Sequence, residues 1–199
     1  MRIGSIVALT LGLAMAGGAH ASIFVVGAAA NSSSGGTGLP SLSLTTGEAF
    51  SVHSSLEDTW SAGALPRVSD ANGLSQVRYA DGVDDSGFAP GTQLTAVFPL
   101  YTQNGLTANY ASLVGEIGGV YHELGANFAG AAWGTGTLKL YFWDENNYDN
   151  YGSIAFDIKP RVAVDQGPGV PEPASWALMI VGFGAAGAML RHRRSGAFA

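Results

Sequence analysis

From Gly136 to Trp143 the sequence reads GTLKLYFW, an alternation of period two. In an extended chain it sets Leu138, Leu140 and Phe142 on one face and Lys139, Tyr141 and Trp143 on the other. GSIAFDI repeats the pattern with Ile154, Phe156 and Ile158. Shorter runs of the same kind are SIFVV, TQLTAVFPL, SLVGEI and GVYHELG, separated by glycine- and serine-rich punctuation. SLSLTT and EAFSVHS flank Gly47 and read as a hairpin. No segment before Ala174 has a helical period. Strands at this spacing predict an all-β chain, a β-sandwich or jelly roll. NSSSGGTG, residues 31–38, reads as a flexible loop by composition.

The two ends do not follow this pattern. Arg2, the apolar run IVALTLGLAMAGGA and Ala19-His20-Ala21 have the order of a secretory signal peptide, with cleavage after Ala21 leaving Ser22 first. Residues 1–21 are therefore expected to engage the Sec export machinery. Residues 22–160 form the expected domain and RVAVDQGPGV, 161–170, the linker. From Ala174 to Leu190 there is no charge. At about 1.5 Å per residue that length is marginal for a hydrocarbon core of about 30 Å. Arg191, Arg193 and Arg194 follow, and the positive-inside rule would hold them in the cytoplasm with the domain outside.

Pro171-Glu172-Pro173, Trp176-Ala177, GFGAAG and the arginine cluster together resemble the PEP-CTERM sorting signal of Gram-negative bacteria. The resemblance covers residues 171–194, with the transmembrane helix at 174–190. It implies processing near the tripeptide by an exosortase-type membrane protease, and a final place at the cell surface or in the extracellular matrix. Pro171, Glu172 and Pro173 would be substrate residues of that protease.

Charge narrows the partners of the domain. Between residues 22 and 160, four basic side chains (Arg67, Arg78, Lys139, Lys159) stand against thirteen acidic ones, leaving −9. A surface that negative repels phosphate backbones, so nucleic acid is not an expected partner. Divalent cations and sugars are compatible with it. Without cysteine there are neither disulfides nor thiolate metal sites.

The densest polar stretch is WDENNYDNYGS, from Trp143 to Ser153. It joins the two clearest strands, so it is expected to be a hairpin loop crowded with Asp144, Glu145, Asn146, Asn147, Asp149 and Asn150. Carboxylate, amide and carbonyl oxygens are the hard ligands that calcium takes six to eight at a time. The spacing is not that of an EF-hand, and on residue types alone a solvated loop fits equally well. YADGVDDSG, 79–87, is a second acidic loop that reads as a surface turn, with a site for another cation as the alternative.

SLVGEIGG at 112–119, then strand, Asp, loop, Asn-x-Gly-Ser and strand, resembles the calcium-dependent galactophilic lectins of bacteria. The resemblance implies a metal site of Asp144, Asp149 and Asn150, with Asn146 as a carbonyl donor. DTWSAG at 58–63 resembles that family's Trp-containing loop, making Gly63 a second carbonyl donor. ANGL at 71–74 resembles the segment that offers an amide to the sugar, here Asn72. The loop is about two residues shorter than the family's, and no histidine stands beside Asn72. Calcium therefore follows more directly from the motif than galactose does.

An aromatic face suits a sugar ring, and the aromatics considered for that role are Trp60, Tyr101, Tyr110, Trp133 and Trp143. Trp143 is the one expected to be exposed, opposite the Leu138 face. His53 and His122 are the only histidines within 22–160, and neighbours His53 and Ser54 point to opposite faces of a strand. No nucleophile, phosphate-loop or dinucleotide motif appears. The expected function is non-catalytic, calcium-assisted attachment to polysaccharide or another glycan. One alternative is a structural surface protein that uses calcium only for stability; another, disfavoured by the missing catalytic motifs, is a glycoside hydrolase or lyase working through paired carboxylates.

Overall fold

The computed structural model describes residues 22–161 together with Ile180 and Phe183, both helical and exposed. The chain divides into two units, Met1–Ala163 and Val164–Ala199. The expected signal peptide lies outside the described residues. So do the linker beyond Arg161 and the sorting segment, apart from the two residues named. Among the described residues no helix is long and apolar enough to cross a membrane.

The first unit is all-β. Its strands are β1 (Ser22–Gly27), β2 (Leu39–Leu44), β3 (Ala49–His53), β4 (Trp60–Ser61), β5 (Val68–Ser69), β6 (Arg78–Tyr79) and β7 (Gln93–Thr95). There follow β8 (Tyr101–Gln103), β9 (Leu106–Ala108), β10 (Leu113–Ile117), β11 (Val120–Glu123), β12 (Asn127–Ala131), β13 (Gly136–Phe142) and β14 (Tyr151–Pro160). One sheet of six strands runs β12-β3-β14-β4-β5, with β1 also paired to β14. A second, of four strands, runs β11-β10-β13-β2. Two small hairpins, β6-β7 and β8-β9, complete the set.

The two sheets share one core, the arrangement of a β-sandwich. Val26, Phe50, Val52, Ile154, Phe156 and Ile158 come from the first sheet; Leu44, Leu113, Ile117, Leu138, Leu140 and Phe142 come from the second. Each full burial of such a side chain contributes roughly 1.5–3 kcal/mol against leaving it exposed. Trp60 meets Phe142 edge-on at 4.9 Å. Its Nε1 donates to the Ala111 carbonyl at 2.9 Å, satisfying the one polar atom it carries into the core.

Two expected hairpins are not hairpins. β2 pairs with β13, whereas β3 pairs with β12 and β14, so the turn at Gly47 carries the chain from one sheet to the other. β13 and β14 likewise lie in different sheets. Alternation marks which residues share a face but not which strand lies alongside, and neighbours in sequence here face each other across the core. The loop from Asp144 to Asn150 is therefore a bridge between sheets.

The segment at 31–38 is not a loose loop either. Phe142 donates its N–H to the Asn31 carbonyl at 2.9 Å, and the Ser33 N–H donates to the Phe142 carbonyl at 2.8 Å. Ser32 is fully buried. The outer face of the four-stranded sheet is covered as well. The β8-β9 hairpin brings Tyr101, Leu106 and Ala108 against Val114, Tyr121, Tyr141 and Trp143. Trp143 is accordingly buried, and its Nε1 donates to the Tyr101 carbonyl at 3.2 Å. The expected exposed stacking platform is instead the centre of a second small core.

Candidate functional site

The inter-sheet loop gathers oxygen acceptors that lack donors. Asp144 sits two residues beyond β13 with 3% of its surface exposed, and Asn150 immediately before β14 with 8%. Asp144 Oδ1 accepts the Glu145 N–H at 2.8 Å. Its Oδ2 is buried without a partner, and so are Asn146 Oδ1, Asp149 Oδ1 and Asn150 Oδ1. Four unpaired acceptor oxygens within seven residues are unusual, because a buried polar atom left without a partner costs about 1–3 kcal/mol. An acceptor-only set needs a donor or a cation.

The loop is held from behind by the 31–38 segment. Ser33 Oγ donates to the Asp144 carbonyl at 2.9 Å, and Ser32 Oγ to the Asn146 carbonyl at 3.1 Å. Asn150 Nδ2 donates to the same Asn146 carbonyl at 2.9 Å. With two donors on that carbonyl, the free oxygen of Asn146 is the side-chain Oδ1, not the backbone atom expected from the motif.

Burial pushes the Asp144 carboxyl up to about 6, and the neighbouring charges of Asp149 and Glu145 push the same way. The Glu145 amide and the Asn150 side chain pull it partly back. A carboxylate so placed is unhappy alone and would be relieved by a positive ion.

Gly63 lies directly against this group, for a Cβ built on it would stand 2.5 Å from Asp149 Oδ2. The Gly63 carbonyl accepts the Ser61 Oγ hydrogen bond at 2.5 Å, which uses one of its two lone pairs. The structure thus brings together five residues expected from the sequence: Asp144, Asn146, Asp149, Asn150 and Gly63. Asn72 is placed elsewhere. It lines a separate polar hollow with Ser75, Asn109 and Glu123, and its Oδ1 accepts the Ala126 N–H at 3.0 Å.

A cleft of about 260 Å³ opens beside the loop. Asp144, Glu145 and Asn146 form its polar side; Leu74, Phe98, Pro99, Leu100 and Tyr110 form an apolar side; Arg67 and Ala62 also line it. Tyr110 stacks on Tyr101 with ring centroids 5.0 Å apart. Burial, followed by the adjacent Glu145 charge, pushes the Tyr110 hydroxyl up to about 12, so it remains a neutral donor. Of the aromatics singled out in the sequence, Tyr110 lines this cleft. Trp60 and Trp143 are buried, and Trp133 stacks on His122 at 4.2 Å.

Arg67, Phe98 and the serines at 32 and 33 belong to the site without having stood out in the sequence. Their contribution comes from long-range contacts, and a serine run among glycines has no local mark of it.

Other polar clusters do not match this one. Among the described residues no three His, Cys, Asp or Glu side chains converge as a metal-binding group. The set at the loop is two carboxylates with amide and carbonyl oxygens, suited to a hard cation and not to zinc. In the 79–87 loop the carboxylates cap backbone N–H groups: Asp81 Oδ1 accepts from Val83 at 2.9 Å, and Asp85 Oδ1 accepts from Thr59 at 2.7 Å. That loop is a turn stabilised by its own acids.

Residues 169–194 match the model of the PEP-CTERM protein-sorting motif. The motif implies an exported protein processed by exosortase. No curated protein sequence matches the chain. Among solved structures, the chain is similar to one described as "EclA N-terminal domain; PllA-like lectin", at 19% identity and a TM-score of 0.42. That likeness covers 70% of this chain and 95% of the other.

Proposed function

We propose that this protein is a non-catalytic binding module of the cell envelope or extracellular matrix. In this reading it holds a calcium ion in the Asp144–Asn150 loop and attaches to polysaccharide through the adjoining cleft. The observation that carries the reading is the set of four buried, unpartnered oxygens on Asp144, Asn146, Asp149 and Asn150. With one further lone pair on the Gly63 carbonyl, they offer five of the six to eight oxygens calcium takes, leaving positions for sugar hydroxyls or water. The cleft supplies what a sugar ring needs beside such an ion, an apolar wall at Phe98 and Leu74 and polar groups facing it. The sequence resemblance to calcium-dependent lectins, drawn on the same residues, points the same way. The sorting motif adds exosortase as the processing partner and, by way of the tail, membrane anchoring before release to the surface.

One observation favours a second reading. The loop ties β13 in one sheet to β14 in the other, so an ion there would staple the sandwich whether or not a sugar binds. Glycan-array binding of the full-length protein, in calcium and again in chelator, separates the two. Signal only in calcium supports the binding module. A calcium-dependent rise in melting temperature with no glycan signal supports the structural role, and no calcium response removes both.

A further inference from the structure

We propose that Arg67 makes the cleft selective for acidic sugars, the carboxylate of a uronic acid taking the guanidinium while the ring lies on the apolar wall. The inference rests on the calcium-assisted reading of the same site and names its ligand class.

Arg67 is the cation of this cleft, and its donors are largely unspent. Arg78 meets Glu57 at 2.9 Å and Lys139 meets Glu116 at 3.1 Å, while Lys159 is closely paired with Asp157. Arg67 instead stands 3.7 Å from Asp149 Oδ2, beyond a direct hydrogen bond, with 44% of its side chain exposed. Among the described residues its one hydrogen bond runs from Nη1 to the Ala62 carbonyl at 3.3 Å. A guanidinium carries five N–H donors in a planar fork that fits a carboxylate through two parallel bonds. The Arg67 fork is oriented as well as free, because its central carbon lies 5.7 Å from the centre of the Phe98 ring. Phe98 is also part of the cleft's apolar wall. Phe98 therefore positions the charge, and Leu74, Pro99 and Leu100 continue the apolar wall beside it on which a sugar ring would rest.

The neighbouring acids do not cancel this charge once an ion is bound. A cation shared by Asp144 and Asp149 competes with Arg67 for Asp149 and weakens a pair that is already long. The Glu145 charge acts on the Tyr110 hydroxyl, and among the described residues Glu145 forms no ion pair with Arg67. A neutral sugar leaves the fork facing water, whereas a uronate adds a charge-assisted pair.

The test is calorimetric titration of the full-length protein at saturating calcium with galacturonic acid, glucuronic acid, galactose and glucose, and with acetate as a bare carboxylate. Wild type is expected to bind a uronic acid at least about tenfold more tightly than its neutral counterpart, and acetate weakly. Arg67→Gln should erase that preference, so that each uronic acid binds within about twofold of its neutral counterpart, with calcium held saturating for the variant as well. Arg67→Lys, which keeps the charge and loses the fork, should retain part of it. Equal binding of acidic and neutral sugars by wild type, or a preference unchanged in Arg67→Gln, overturns the inference and leaves the calcium-assisted module standing. Acetate as tight as a uronate overturns it too, since the sugar ring would then contribute nothing. An absence of calcium-dependent sugar binding overturns the inference and the proposed function together.

Discussion

Ser33 and Asp144, 111 positions apart, are joined twice: the Ser33 hydroxyl donates to the Asp144 carbonyl at 2.9 Å and accepts the Asp144 N–H at 3.1 Å. This closed pair fixes the peptide from which the buried carboxylate projects. Ser33→Ala removes both bonds and leaves a part-buried N–H without its partner. The cost should be about 1–3 kcal/mol in urea unfolding. Calcium affinity should fall with it, because the loop would have to be ordered by the ion. A variant as stable and as responsive as wild type would show that the pair does not hold the loop.

Asp144→Asn separates charge from shape. At neutral pH without metal, the wild-type carboxylate is ionised and buried among acceptors. The amide is neutral and brings two donors to a place where Asn146, Asp149 and Asn150 have unpaired oxygens. The metal-free variant should therefore be more stable than wild type, by about 1–3 kcal/mol. It should also lose the calcium response, which in wild type reaches about 2.7 kcal/mol at a hundredfold excess over Kd. Melting curves with calcium and with chelator read both effects, and a variant that still responds to calcium removes Asp144 from the metal site.

The pH dependence has a defined sign. The Asp144 carboxyl stands at about 6 in the folded protein, raised from its ordinary 3.8 by burial first. Below about pH 4 both folded and unfolded forms hold the proton, and the group contributes nothing. As pH rises from 4 to 6 the unfolded chain releases its proton first, so metal-free stability falls, by about 3 kcal/mol once the folded form has ionised too. Calcium affinity moves the other way and strengthens through pH 6, because the ion needs the carboxylate. Denaturant titrations from pH 4 to 8 on wild type and Asp144→Asn should differ in this slope. Parallel curves would mean that Asp144 titrates normally.

Much of this was legible in particular residues. The alternation at Leu138, Leu140 and Phe142 marked an inward face correctly, because period two depends only on the geometry of one strand. The Asp/Asn spacing from Asp144 to Asn150 marked the loop for the same local reason. What failed depended on partners distant in sequence. Trp143 occupies the face the alternation assigned it, but nothing local shows that Tyr101 and Tyr121 cover that face. The 31–38 segment has the composition of a linker, yet Ser32 and Ser33 spend their hydroxyls on carbonyls more than a hundred residues away. β13 and β14 look like a hairpin because they are adjacent in sequence. Their assignment to different sheets is decided by which neighbours bury Phe142 and Phe156, and that is a property of the whole sandwich.

Gly63 offers the sharpest probe of the metal site, given a matched control. It has φ of +116°, and a Cβ there would fall 2.5 Å from Asp149 Oδ2. Gly63→Ala therefore does two things: it strains the backbone by about 1–2 kcal/mol, and it displaces the Asp149 carboxylate. Gly47, at φ of +85°, has no atom within 4 Å of its would-be Cβ. Gly47→Ala thus imposes positive-φ strain at the inter-sheet turn and leaves the loop untouched. Both variants should lose stability in chelator, Gly63→Ala the more because its Cβ also meets Asp149, but only Gly47→Ala should gain as much stability on adding calcium as wild type does. If both recover equally, the displaced carboxylate is not a ligand, and Asp149 acts only as the distant partner of Arg67. If Gly63→Ala alone fails to recover, left-handed strain by itself is excluded as the cause and the ion is placed against Gly63 and Asp149 together.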